Sequence, residues 1–122
     1  MSSFNHEFGH DGKKISSIFE YSILGLTMDK MKSLGIQQPN HIKIDVDGIE
    51  HFILQGGFNV LNSCKSILIE INDDFENQAN ECKELLSKIG VTLSKKEHGL
   101  RYDNVSPFSK TFNQIWINTN IT

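Results

Sequence analysis

The segment Ile42-Lys43-Ile44-Asp45-Val46 is a β-branched run of strand length that gives way at once to a helical pattern. Asp47-Gly48 ends the run, and Ile49, Phe52 and Ile53 then recur at helical spacing. The same switch happens a second time. Ser66-Ile67-Leu68-Ile69-Glu70-Ile71 is nearly continuous in apolar residues, and Phe75, Ala79, Cys82, Leu85, Leu86 and Ile89 behind it mark one face of a helix closed by Gly90. Asp73 or Asp74 is placed to cap that helix. Strands alternating with helices predict a parallel sheet with right-handed crossovers, so the fold class is α/β. Both strands carry apolar residues on both faces, as strands buried between two helix layers do.

Two more strands follow, one starting at Val91-Thr92-Leu93 and one over 113–118 around Ile115-Trp116-Ile117. Residues 98–109 between them read as a loop, with Gly99 and Pro107 inside it. With no helix to carry a crossover, these strands are expected to be antiparallel neighbours. Upstream, Thr27 is placed to cap a helix bearing Met28, Met31 and Leu34, stopped by Gly35 and Pro39. Gly56-Gly57 interrupts the helix after the first strand. Residues 1–23 form an irregular lead-in and residues 24–122 the strand-helix-strand-helix-strand-strand core; 122 residues hold one domain.

Composition narrows the function classes. A formal net charge of −3 supplies no basic footprint for nucleic acid or an anionic membrane. No apolar run approaches the roughly 20 residues that span a bilayer, and the N-terminus lacks the charged-then-apolar layout of a signal peptide. Cys64 and Cys82 are isolated and form no CxxC pair, which points to two reduced, packed thiols and a cytoplasmic setting.

The block His41 to Gly57, HIKIDVDGIEHFILQGG, resembles the strand-and-turn pattern "IKIDVEGxE" of FkbM-family methyltransferases, with Asp47 where Glu is more usual. Leu26-Thr27-Met28-Asp29 is similar to the family's "TLD" helix start. Leu54-Gln55-Gly56-Gly57 resembles its "LxGA" segment, and Ile67 to Asn72 its following strand. The likeness is close over residues 24–75 and elsewhere follows the order of elements. It implies the C-terminal half of a class I, Rossmann-like methyltransferase fold and S-adenosylmethionine-dependent transfer, usually to an oxygen of a small molecule or glycan. The family's glycine-rich turn after its first strand, and the acidic residue that holds the cofactor's ribose, have no counterpart here. The first three strands are therefore expected to be absent. The chain should be inactive alone and either self-associating or completed by an N-terminal segment.

In open α/β sheets the ligand crevice lies beyond the carboxyl ends of the strands. Asp45 falls there and is the first candidate to orient or deprotonate an acceptor hydroxyl. Asp47, Glu50 and His51 follow in the turn and first helical turn; Asp47 and Glu50 also have the spacing of a capping box, which needs no catalysis. Glu70 and Asn72 end the next strand and could line the same crevice. By the resemblance, Phe4 and Asn5 fall where the fold borders the cofactor's adenine ring. No metal site is expected. Two other functions compete: a non-catalytic module pairing through an open strand edge, and a glycosyltransferase fragment holding a metal between Asp45 and Asp47.

Overall fold

Two strands of the sheet pair with the one that comes latest among the described residues. A computed structural model describes residues 20–98 and 111–121. The elements are α1 (Met28–Ser33), β1 (His41–Ile44), α2 (Glu50–Gln55), α3 (Phe58–Asn62), β2 (Ser66–Asn72), α4 (Glu76–Ile89), β3 (Thr92–Glu97) and β4 (Thr111–Ile117). They make a mixed α/β unit whose sheet order is β1-β2-β4-β3. β1 and β2 run parallel. β3 and β4 are antiparallel neighbours, as the missing helix predicts. β4 also pairs antiparallel with β2 along the whole of both strands, from Ser66↔Ile117 to Asn72↔Thr111, and so separates β2 from β3.

The core lies on one side of this sheet. Ile67, Ile69 and Ile71 of β2, Ile44 of β1 and Trp116 of β4 are buried against Leu54 of α2, Leu61 of α3 and Ala79, Cys82, Leu86 and Ile89 of α4. The four buried α4 positions recur at three- and four-residue spacing, one stripe of a helix that stops at Gly90 in the left-handed conformation, φ 101°. The expectation of two helix layers needs correction. β2 alternates between buried and half-buried residues along its length, and only Ile44 of β1 is fully buried. Leu68, Ile115 and Ile117 thus keep part of their surface open on the other face. A continuous apolar run shows that both faces tolerate apolar contact, not that both are covered.

Helix starts follow the sequence in one case and depart from it in two. Thr27 caps α1 by accepting the Lys30 amide at 3.0 Å. Asp47 does not cap α2; the N-cap is Ile49, without a side-chain bond. Neither Asp73 nor Asp74 caps α4, whose N-cap is Phe75. Asp74 instead closes a small turn by donating its amide to Asn72 Oδ1 at 2.9 Å, and Asp73 pairs with Lys96 at 2.6 Å.

Two of the sequence blocks are one clamp. Asp29 reaches across to α3, its two carboxylate oxygens accepting the Asn59 amide at 3.1 Å and the Val60 amide at 2.9 Å. Those are helix-start donors that α3 cannot satisfy from its own cap, Gly57. The Asp29 amide in turn donates to the Gly56 carbonyl at 3.1 Å. A Cβ at Gly56 would come within 2.8 Å of Thr27 Cγ2. Thr27, Asp29 and the glycine pair are therefore required by the packing of α1 on the α2–α3 junction.

Candidate functional site

The carboxyl ends of β1 and β2 open onto a cleft of about 170 Å³ lined by Asp45, Asp47, Gly48, Glu50, Glu70 and Asn72, with Ile71, Phe75, Gln78, Ala79, Cys82 and Thr111 behind them. Five of the residues singled out in the sequence thus meet in one place: Asp45, Asp47, Glu50, Glu70 and Asn72. His51 is not among the lining residues. The residue is 7% exposed, its ring tilted against Phe52 at 4.0 Å between centroids. Phe4 and Asn5 lie outside the described residues.

Local geometry explains how the acids converge. Asp45 is the first residue past β1, one step beyond the Ile44↔Ile69 pair and so beside Glu70. Asp47 takes the left-handed conformation, φ 56°, and Gly48 follows at φ 107°. Asp tolerates that region better than most residues, and glycine enters it freely. The turn leaves backbone N–H groups facing inward, and Glu50 collects them. Its Oε2 accepts the Gly48 amide at 3.0 Å and its Oε1 the Val46 amide at 3.3 Å. The expected capping box is thus absent: with Ile49 as N-cap, Glu50 binds the amides on either side of Asp47 rather than that of a cap residue, and the Asp47 side chain lines the cleft.

Electrostatics then separate the acids. Glu50 is buried, which pushes its pKa up against the pull of its backbone hydrogen bonds, with the nearby charge of Asp45 adding to the rise. Glu70 is pushed up to about 7. Burial contributes most, followed by a hydrogen bond to Asp45 and by the negative charges of Asp45, Asp47 and Glu50. Glu70, hydrogen-bonded to Asp45, is therefore the acid of the cleft that keeps its proton up to near neutrality. Cys82, facing the same cleft, is pushed up to about 12 by burial and then by Glu50 and Glu81, so it stays a thiol. Lys96 is engaged by Asp73 and stands 4.4 Å over the Phe112 ring.

Gln78, Thr111 and Cys82 were not legible as site residues. Gln78 and Cys82 sit in a helix read as packing, Thr111 falls just outside the expected last strand, and the position of β4 beside β2 brings it to the cleft. Among the described residues, no group of three or more His, Cys, Asp or Glu is arranged to hold a metal ion. No helix among them is long and apolar enough to cross a membrane.

The pair at the strand ends can take a proton from a hydroxyl placed in the cleft, since a base is most useful when its pKa lies near the working pH. The cleft is smaller than the roughly 300–1,000 Å³ of pockets that enclose a whole ligand, so it cannot hold S-adenosylmethionine entire. Comparison with curated proteins and with solved structures gives no match. The model of the FkbM methyltransferase domain matches residues 13–102. That span contains β1, α2, β2, α4 and every acid of the cleft, and its members depend on S-adenosylmethionine: this chain belongs to the FkbM methyltransferase family.

Proposed function

We propose that the chain supplies the acceptor side of an S-adenosylmethionine-dependent O-methyltransferase acting on a hydroxyl of a small molecule or glycan. The observation that carries this reading is Glu70, its pKa pushed up to about 7 beside Asp45, at the carboxyl ends of two parallel strands. Asp45 orients the acceptor hydroxyl, and the Glu70 carboxylate receives its proton as the oxygen becomes nucleophilic. Asp47 lines the approach from its left-handed turn, and Glu50 fixes that turn from below. Asn72 borders the same cleft and offers an amide to the acceptor. The cofactor would supply the methyl group.

The strand order, with β1 at the margin and β4 between β2 and β3, supports reading the unit as the C-terminal half of a class I, Rossmann-like fold. The cofactor's own wall then has to come from residues other than the described ones. Two buried, unpaired thiols favour a reducing, cytoplasmic setting.

A chimera joining this chain to the cofactor-holding part of an FkbM methyltransferase tests the reading. Methyl transfer should rise with pH through about 7, and Glu70→Gln should lower kcat/KM about a hundredfold and flatten that rise. A Glu70→Gln chimera with the parent's rate and pH profile would sink the proposal. Titration of the chain alone with S-adenosylmethionine in a calorimeter should give no micromolar binding; tight binding would overturn the one-sided site.

A further inference from the structure

The turn between β2 and α4 serves two neighbours at once. Asn72 and Phe75 line the acid cleft, while Asp73, between them in sequence, binds Lys96 instead. Lys96 stands on β3, and β4 lies between β3 and β2, so the pair reaches over a strand to join the far side of the sheet to the rim of the cleft. Lys96 Nζ donates to Asp73 Oδ2 at 2.6 Å and stands 4.4 Å from the centroid of the Phe112 ring of β4. His98 stacks on the same ring at 4.4 Å.

The bonds inside the turn shape it without tying it to the far side of the sheet. Asp74 donates its amide to Asn72 Oδ1 at 2.9 Å, and Phe75 donates its own to the Asn72 carbonyl at 3.1 Å. α4 then begins at Phe75 with no side-chain cap. The side chains of Lys96 and Asp73 are only 32% and 25% exposed, so their attraction is screened less than that of a pair in open solvent. Asp73 Oδ1 is buried and has no hydrogen-bond partner among the described residues, so the carboxylate leans on Lys96. Without the lysine, Asp73 lowers its free energy by turning into water, and Phe75 two residues on moves with it. Phe75, Ala79 and Cys82 line the cleft in succession, four and three residues apart, so a displaced Phe75 opens the way to Cys82.

We propose that Lys96 is a positioning residue for the cleft. Through Asp73 it holds the 72–75 turn as one wall, and release of this latch widens the cleft for a ligand larger than its closed volume of about 170 Å³. The proposal concerns the shape of the cleft and stands or falls apart from the methyl-transfer reading.

The two free, buried cysteines read the latch out. Cys82 lines the cleft, whereas Cys64 precedes the other end of β2, its Sγ donating to the Leu61 carbonyl at 3.1 Å. Global unfolding exposes both thiols, and opening of the latch exposes Cys82 alone. In the folded chain, Lys96→Met should raise the alkylation rate of Cys82 relative to Cys64 about fivefold. Lys96→Arg keeps the charge and the ring contact, and should leave that ratio near the parent's. Asp73→Ala should match Lys96→Met, and the double variant should go no further than either. An unchanged ratio in Lys96→Met, equal acceleration of both thiols, or a Lys96→Arg protein as open as Lys96→Met would each overturn the latch.

Discussion

The two ends of the sheet treat polar groups in opposite ways. At the end where β2 begins, several polar side chains close on backbone. Asn118, 2% exposed, donates to the Asn62 carbonyl at 2.7 Å, and Asn62 donates to the Ile89 carbonyl at 2.6 Å. The Asn118 amide donates to Lys65, and Gln38 donates to Val60. At the other end, Asp45, Asp47, Glu50 and Glu70 crowd one cleft, and burial with mutual repulsion raises the pKa of Glu50 and Glu70. One end lowers the free energy of the fold through hydrogen bonds that leave little unsatisfied. The other keeps groups whose charge is costly to hold, the usual mark of a site used for chemistry.

Several measurements would break or sharpen that contrast. The largest effect concerns Cys82 at the floor of the cleft. With its thiol pushed up to about 12, native-state alkylation at pH 8 should run on the order of a thousandfold slower than for a free cysteine. Rapid labelling of folded protein would mean that the cleft is wetter than its carboxylates imply. Next comes Asn118→Ala, which removes the link between Asn62 and the chain after β4. It should lower unfolding free energy by about 2–3 kcal/mol, by a similar amount at pH 5 and pH 8, in urea titrations. A loss confined to one pH would erase the distinction between the two ends.

Glu50→Ala sits between the two regimes, because this acid belongs to the cleft yet ties the turn. A loss of about 1–2 kcal/mol is expected. No loss would move Glu50 fully to the chemical side. The smallest effect carries the opposite sign. The folded pKa of Glu70 lies above its ordinary 4.5, so native stability from its protonation is complete below that pH and disappears as pH rises through about 7. Glu70→Gln keeps a neutral, hydrogen-bonding side chain, and its melting temperature at pH 8 should exceed the parent's by about 1–2 °C. The gap should vanish at pH 4. A variant less stable than the parent at pH 8 would contradict the account of Glu70.

Much of this was legible in the residues. The alternation of strand and helix patterns located β1, β2 and α4, and Thr27 and Gly90 marked helix ends where they stand. Five of the candidate residues line one cleft because the rule about strand carboxyl ends depends only on chain direction. Asp47 and Glu50 were harder. Their spacing suits a cap, and nothing local decides which acid binds backbone and which is left over; the left-handed turn before Gly48 settles it. Sidedness is not legible in the sequence for a related reason. Ser66 to Asn72 could be covered on either face, and the partners that cover one of them, α2 and α4, are chosen by the tertiary fold. Thr111 needed the pairing of β2 with β4, across a gap in sequence that no short-range pattern spans.

The position of β4 also bears on the order in which the chain can acquire structure. β2 can gather α2, α3, α4 and β1 from neighbouring sequence, yet its whole second edge waits for residues 111–117, with Ser66 meeting Ile117. β3, made earlier than β4, has no neighbour in the sheet until β4 arrives to join it. During synthesis, Leu93 and the open edge of β2 must therefore remain unpaired until the last strand leaves the ribosome. That interval is when a chain of this topology is most exposed to chaperones and to aggregation.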